Sequence, residues 1–154
     1  MRTILFVCTG NTCRSPMAEG IARDLVDTGK LEGFDPSQLL FASAGVAAAE
    51  GIPPSPETRQ ILQDRGIENT SRSIQLTPEM VIGADVVLTM TRSHLEAIRT
   101  HFNLSEEQVG RIHLLDPDRD VIDPIGRGPD AYQEAADIFD KLIPSRLKEL
   151  LSCD

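Results

Sequence analysis

Short apolar runs alternate with amphipathic stretches along this chain of 154 residues. Four of the runs predict strands that are buried on both faces, at residues 4–7, 39–42, 85–90 and 112–115. After the first run, Met17, Ile21 and Leu25 recur at helical spacing and predict a helix over residues 16–27. The pattern predicts further helices, which cover residues 55–66, a short segment from residue 77, 93–101 and 129–151.

Local signals mark where several of these helices begin and end. Ser55-Pro56 and Thr77-Pro78 each place a capping side chain before a proline that suits the first helical turn. The last helix contains Pro144, which should kink or break it. Its apolar side is predicted to consist of Ala131, Ala135, Ile138 and Leu142.

The alternation of strands and helices predicts an α/β fold with a parallel sheet covered on both faces. In open sheets of this kind, ligands bind beyond the carboxyl ends of the strands. Residues 8–15 follow the first predicted strand, and the polar loop at residues 116–130 follows the last. The two loops should therefore open onto the same rim of the sheet, although about 110 residues separate them.

Length, charge and cysteine content restrict the classes of function. The length suits a single domain over residues 1–154. The formal net charge of -9 argues against a nucleic-acid partner and gives no reason to expect an anionic membrane surface as a partner. No signal-peptide pattern is visible, and the three cysteines are an odd number without disulfide-scaffold spacing. A reduced, cytoplasmic protein is expected.

The segment from Ile4 to Ser15 carries the clearest chemical signal. Four apolar residues lead to Cys8, a loop of Thr9, Gly10, Asn11 and Thr12 follows, Arg14 closes the loop, and a helix is predicted to begin at Ser15-Pro16. Successive backbone N–H groups in such a loop form an anion nest, to which the helix N-terminus adds its positive end. This field favours the thiolate form of Cys8, while Arg14 can bind two oxyanion oxygens and Ser15 can hydrogen-bond the sulfur. The segment predicts a phosphate site with a nucleophilic thiol.

Thiolate attack on a phosphoryl group also needs a proton donor for the leaving group, and a carboxylic acid on the same rim could supply it. The loop at residues 116–130 offers four candidates that the pattern alone does not separate, namely Asp116, Asp118, Asp120 and Asp123.

The second cysteine of the loop and the histidines are assigned no catalytic task. Cys13 is interpreted mainly as core packing, with a reversible disulfide to Cys8 as a further hypothesis. No second ligand pair at useful spacing supports a metal site. The histidines are interpreted as surface or helix residues rather than catalytic bases, and they are His94, His101 and His113.

The segment from Val7 to Glu19 resembles the phosphate loop of the low-molecular-weight protein tyrosine phosphatases. Weaker matches follow in the same order as in that family, at residues 43–45, 76–79, 84–90 and 123–124. The resemblance implies a flavodoxin-like three-layer sandwich with a central four-stranded parallel sheet. It implies Cys8 as nucleophile, Arg14 as phosphate clamp and Asp123 as general acid and then base. No metal or organic cofactor is implied.

The resemblance also assigns the rest of the loop. It implies that phosphate contacts come from Thr9, Gly10, Asn11, Thr12, Cys13 and Ser15. Asn11 would be supported by Ser43. Many relatives also place a histidine against the loop asparagine, but this chain has none at that position. Ser71 is a candidate for that support.

Two departures from the tyrosine phosphatases make the chain most like the bacterial protein arginine phosphatases of the same family. Thr12 stands where the tyrosine enzymes usually have an aliphatic residue. Asp123-Pro124 is followed by residues 125–128, Ile-Gly-Arg-Gly, without the aromatic side chains that would stack on phosphotyrosine. The branch resemblance implies protein phosphoarginine as the favoured substrate and Thr12 as the residue that selects it.

Three alternatives remain at this stage. A protein-tyrosine phosphatase keeps the whole mechanism and changes only the substrate. Thiol-dependent arsenate reduction needs resolving cysteines, and none stands between residues 14 and 152. A phosphate-binding module without activity would not need the intact set of Cys8, Arg14 and Asp123. The expected partners are phosphorylated proteins, and the chain is expected to be a monomer.

Overall fold

The computed structural model describes residues 1–151 and contains the predicted four-stranded parallel sheet. Its strands run in the spatial order β2-β1-β3-β4, and every neighbouring pair is parallel. The strands are β1 Arg2–Cys8, β2 Leu39–Gly45, β3 Val86–Thr89 and β4 Ile112–Leu114. Residues 152–154, which include Cys153, lie outside the described residues.

Helices connect these strands. A short 3-10 helix, Pro36–Gln38, precedes β2. The α-helices are α1 Arg14–Asp27, α2 Pro56–Asp64, α3 Pro78–Gly83, α4 Arg92–His101, α5 Glu106–Val109 and α6 Pro129–Leu151. Ser55 and Thr77 cap α2 and α3 as predicted, since their hydroxyls accept from the backbone N–H groups of Thr58 and Met80. The sequence prediction missed α5, although Ser105 and Gln108 form a capping box at its start.

The last helix differs from its prediction in two respects. It remains continuous through Pro144, so the predicted break is wrong. The fully buried Phe139, Ile143 and Leu147 pack this part of α6 into the core, and that packing compensates for one lost backbone hydrogen bond. The predicted apolar side is confirmed at Ala135 and Leu142 but wrong at Ile138, which is exposed; Tyr132 and Phe139 are buried instead.

Two apolar cores lie on opposite faces of the sheet and produce the predicted three-layer sandwich. Along β1, Phe6 belongs to the core under α1, α2 and α6. Its neighbour Val7 belongs to the core under α3 and α4. This division follows from the alternation of side chains along a strand and confirms that β1 is buried on both faces.

The strand order determines where a ligand can approach. From β1 the chain crosses to β2 on one side, and it later returns to β3 on the other side of β1. The carboxyl ends of β1 and β3 therefore form a topological switch point, where open α/β sheets bind ligands. Within residues 1–151, no helix is both long and apolar enough to cross a membrane.

Candidate active site

The loop between β1 and α1 turns at Asn11, which has a left-handed backbone with a φ of 57°. Asparagine tolerates this conformation better than most side chains do. The neighbouring Gly10 does not have positive φ. α1 begins at Arg14 rather than at the predicted residue 16, so Arg14 and Ser15 belong to its first turn. Both side chains are therefore held by a helix.

Hydrogen bonds on both ends of its side chain hold Asn11 in place. Its Nδ2 donates to Ser43 Oγ at 3.0 Å, as expected, and to Ser15 Oγ at 2.8 Å. Its Oδ1 accepts from the backbone N–H of Ile74 at 2.9 Å. The predicted support from Ser71 is wrong, because the Ser71 hydroxyl is bonded to Asn69 instead. The backbone N–H of Ile74 thus supports Asn11 where the sequence suggested the side chain of Ser71.

The end of β2 supports the same loop from beneath. The backbone oxygens of Cys8 and Thr9 accept from the N–H groups of Val46 and Ala47 at 2.9 and 3.0 Å. A Cβ atom at Gly45 would lie 2.4 Å from the Thr9 oxygen and 3.0 Å from the Asn11 nitrogen. Only glycine allows this approach, which explains the Gly45 that the sequence places after Ser43-Ala44.

The Cys8 thiol is buried at the centre of the loop. Its Sγ lies 2.9 Å from Ser15 Oγ and accepts from the Asn11 backbone N–H at 3.3 Å. The Ser15 oxygen already accepts from Asn11 Nδ2, and its own proton is free to point at the sulfur. The Ser15 hydroxyl and the Asn11 backbone N–H can both donate a hydrogen bond to a sulfur that carries negative charge.

The guanidinium of Arg14 is buried and links the loop to the far end of the chain. Nη1 donates to the Val121 backbone oxygen at 2.9 Å. Nη2 lies 3.4 Å from Thr9 Oγ1 and 3.5 Å from Asp123 Oδ2. The Arg14 guanidinium therefore contacts both the loop at residues 8–15 and the loop at residues 116–130. The two loops lie at the same rim of the sheet, as the parallel topology predicted.

Of the four candidate aspartates, Asp123 is the one paired with Arg14. Asp116 accepts from the Asp118 backbone N–H, and Asp120 accepts from the Arg92 backbone N–H. The Asp123 carboxyl also accepts from the Ile125 backbone N–H at 3.1 Å, and its side chain remains 44% exposed.

Thr12 and Cys13 complete the loop. Thr12 is half-buried, and its backbone oxygen accepts from the Ser55 N–H at 2.8 Å. Cys13 is buried as expected, with its Sγ 3.4 Å from the hydroxyl of Tyr132. Burial, and next the hydrogen bond with Cys13, raise the pKa of Tyr132 to about 12. Cys8 and Cys13 are both free thiols.

Comparison with known proteins identifies the family to which the chain belongs. The family described as "Low molecular weight phosphotyrosine protein phosphatase" matches residues 3–152. The chain belongs to this family. Membership agrees with the resemblance of residues 7–19 and with the sheet order of the structure.

Relatives in this phosphatase family carry two different names. A "Protein-arginine-phosphatase" of Geobacillus stearothermophilus is 38% identical over 153 residues, which cover 98% of this chain and 97% of the relative. A "Low molecular weight protein-tyrosine-phosphatase PtpB" of Staphylococcus aureus is 33% identical, with 96% and 98% covered. A solved structure of YwlE arginine phosphatase has a TM-score of 0.82 at 31% identity, with 95% of each chain covered. That structure is a cysteine-to-serine mutant with a phosphorylated active site serine.

Sequence reasoning missed one residue at this phosphatase site. His94 was interpreted as an ordinary helix or surface histidine, but it is buried in the first turn of α4. Its Nδ1 accepts from the Thr91 backbone N–H at 3.2 Å, and its Nε2 lies 2.9 Å from Thr9 Oγ1. The spacing Thr91-x-x-His94 resembles a capping box, which was the available signal. Among residues 1–151, no cluster of three or more His, Cys, Asp or Glu side chains could hold a metal ion.

The environment of His94 predicts a pH dependence of stability. Burial, and next the nearby charge of Arg14, lower the pKa of His94 to about 4, although Asp120 and Asp123 oppose the shift. Below pH 6.5, the ordinary pKa of histidine, His94 binds a proton in the unfolded chain but remains unprotonated in the folded chain until the pH approaches 4. The contribution of neutral His94 to the free energy of unfolding is therefore fully present above pH 6.5 and is lost as the pH drops toward 4.

We expect the free energy of unfolding to fall by on the order of 1–2 kcal/mol more in the wild type than in His94→Gln between pH 7 and pH 4.5, allowing for solvent screening. Urea unfolding of both proteins at each pH measures this difference, and the common titration of carboxylates cancels. Parallel stability curves for the two proteins would contradict a depressed pKa.

Proposed function

We propose that the chain is a cysteine-dependent phosphoprotein phosphatase whose single domain spans residues 1–154. In this proposal Cys8 is the nucleophile, Arg14 clamps the phosphoryl oxygens, and Asp123 is general acid and then base. The observation that carries the proposal is the convergence of the Cys8 loop and Asp123 on the buried Arg14 guanidinium. Family membership and relatives named as phosphatases support the same reaction.

The first step transfers the phosphoryl group to sulfur. The Cys8 thiolate attacks phosphorus, the S–P bond forms, and the bond to the leaving nitrogen or oxygen breaks. Asp123 acts as the general acid in the complex with substrate: its carboxyl group gives a proton to that leaving atom and becomes a carboxylate. Arg14 exchanges its contact with Asp123 for two phosphoryl oxygens and stabilises their charge.

The second step hydrolyses the phospho-cysteine and regenerates the Cys8 thiolate. The Asp123 carboxylate takes a proton from water, whose oxygen attacks phosphorus as the S–P bond breaks. Inorganic phosphate leaves, and the Ser15 hydroxyl stabilises the thiolate that forms at 2.9 Å from it. The proposed phosphate contacts come from the loop residues Thr9, Gly10, Asn11, Thr12, Cys13 and Ser15. No metal or organic cofactor takes part in either step.

Protein phosphoarginine is the proposed favoured substrate. Two aliphatic side chains, Ile122 and Ile125, are exposed beside Asp123. They offer apolar area to the methylenes of an arginine side chain but no ring on which a phenyl group could stack. The carboxylate of Asp123 can also accept hydrogen bonds from a guanidine. The relative named protein-arginine-phosphatase supports this choice.

Phosphotyrosine is the second candidate substrate within the same mechanism. The relative named as a tyrosine phosphatase favours it, because it is similar to this chain over nearly the whole length. For either substrate we propose a monomeric, cytoplasmic enzyme that acts on phosphorylated proteins. Neither a nucleic acid nor a membrane surface is a proposed partner, since the net charge is -9.

Substitution of Thr12 should separate the two substrates. We expect wild-type kcat/KM to be higher on a phosphoarginine peptide than on the matched phosphotyrosine peptide. Thr12→Ile should shift that ratio toward phosphotyrosine by about tenfold or more, because an apolar methyl surface replaces a hydroxyl beside the phosphoryl group. Initial rates on both peptides, measured side by side, give the ratio.

The matched control is Thr100→Ile, an equal change at an exposed position near the end of α4. It should leave the ratio of the two rates unchanged. A higher wild-type kcat/KM on phosphotyrosine would reject the arginine preference, and an unchanged ratio in Thr12→Ile would reject Thr12 as the selector.

A further inference from the structure

The contact between His94 and Thr9 joins the first turn of α4 to the phosphate loop. His94 is buried, and its Nε2 lies 2.9 Å from Thr9 Oγ1. No step of the proposed reaction uses this histidine. Resting on the proposed function, we infer that His94 is a positioning residue, which acts through the Thr9 hydroxyl to hold the Arg14 guanidinium ready for phosphate.

The two hydrogen-bond partners of the His94 ring determine which tautomer it adopts. The Thr91 backbone N–H, which has no other role than donor, points at His94 Nδ1 from 3.2 Å. Nδ1 must therefore be the unprotonated nitrogen of a neutral ring, and the proton lies on Nε2. His94 Nε2 thus donates to Thr9 Oγ1. The depressed pKa of His94 agrees, since the ring remains neutral at physiological pH.

Thr9 consequently serves as an acceptor inside the site. Its Oγ1 also accepts from Arg14 Nη2 at 3.4 Å. A hydroxyl oxygen accepts two hydrogen bonds and donates one, so the two donors occupy both lone pairs. The remaining hydroxyl proton points away from His94 and Arg14, and Thr9 itself is exposed. That proton is available to an oxyanion above the loop.

The Val121 backbone oxygen holds Arg14 Nη1 at 2.9 Å, and the position of Nη2 depends on a balance between two further acceptors. Nη2 lies 3.4 Å from Thr9 Oγ1 and 3.5 Å from the Asp123 carboxylate. The carboxylate attracts the cation more strongly than a hydroxyl does, and pairing with Asp123 competes with binding phosphate. His94 keeps the Thr9 oxygen turned toward Arg14 and so opposes this competition.

The test uses substitutions that separate the helix cap from the contact with Thr9. In His94→Asn, the side-chain oxygen can still accept from the Thr91 N–H, but the shorter amide does not reach Thr9. In His94→Gln, the amide can make both contacts. Thr9→Val removes the hydroxyl and keeps the shape of the side chain. The double variant completes a cycle with His94→Asn and Thr9→Val.

We expect His94→Asn to raise the Kd for inorganic phosphate, measured by titration calorimetry, by about 5- to 20-fold. His94→Gln should recover most of the affinity. Because the histidine acts through Thr9, the double variant should bind phosphate no more weakly than Thr9→Val alone, a non-additivity that general destabilisation would not produce. The kcat/KM values on a phosphoarginine peptide should follow the same order.

Unchanged phosphate affinity in His94→Asn, or effects that multiply in the double variant, would overturn the inference. So would a wild type that binds no phosphate. Phosphate binding without turnover on any phosphopeptide would instead reject the proposed function, while the binding cycle would still decide the role of His94. Circular dichroism melts of each variant identify any protein that fails to fold, and the His94→Gln comparison then decides the outcome.

Discussion

Replacement of Cys8 by serine is expected to lower kcat/KM by about 10⁴-fold or more on any phosphorylated substrate. The serine hydroxyl is a far weaker nucleophile than a thiolate, and an alkoxide is a far poorer leaving group than a thiolate in the second step. The surrounding contacts from Ser15 and Asn11 stabilise a charge on sulfur, and the variant has no comparable charge to stabilise. Any phosphoryl group that reaches the serine should remain there, because the serine alkoxide is a poor leaving group.

Cys13→Ser is the matched control, since it makes the same atomic change in the same loop. Cys13 Sγ faces Tyr132 and Ser55 instead of the loop centre, so this variant should retain at least roughly a tenth of wild-type kcat/KM. Initial rates and intact mass spectrometry of acid-quenched enzyme measure both effects. Full activity in Cys8→Ser, or a comparable collapse in both variants, would contradict a covalent phospho-cysteine.

Asp123→Asn is expected to lower kcat on a phosphoarginine peptide by about 10²- to 10⁴-fold. The amide has nearly the shape of the carboxyl but can neither protonate a leaving guanidine nor deprotonate water. A guanidine is a very poor leaving group without a proton, whereas a nitrophenolate leaves readily as an anion. The loss in the first chemical step should therefore be much smaller with an aryl phosphate such as p-nitrophenyl phosphate.

Asp116→Asn provides the comparison for this prediction. Asp116 lies in the same loop, but its carboxylate accepts from the Asp118 backbone N–H and is not paired with Arg14. Its substitution should change kcat less than about threefold. Rapid-quench measurement of leaving-group release for each substrate separates the two steps. Equal losses for Asp123→Asn with the good and the poor leaving group would exclude Asp123 as the general acid.

The elements that the sequence predicted well depend on local interactions. The strands are runs of apolar residues, and the caps at Ser55 and Thr77 bond to N–H groups three residues away. The Cys8-to-Arg14 spacing is equally local, so it predicted the loop before the fold was known. Predictions failed where contacts between residues far apart in the sequence determine the local structure. The helix through Pro144 survives because the core holds it, and the partner of Asn11 is an N–H 63 residues away.

The sequence by itself determined the α/β class, the thiol loop with its arginine, and the family to which these belong. The resemblance to the arginine phosphatase branch also favoured Thr12 as the selector. The resemblance had already chosen Asp123 among the four aspartates, but only the tertiary structure showed its pairing with Arg14. Only the tertiary structure brought His94 against Thr9, 85 positions away. The physical reason is that strand and helix patterns arise from neighbours along the chain. Hydrogen bonds between loops, in contrast, depend on the sheet order that places the ends of β1, β3 and β4 on one rim.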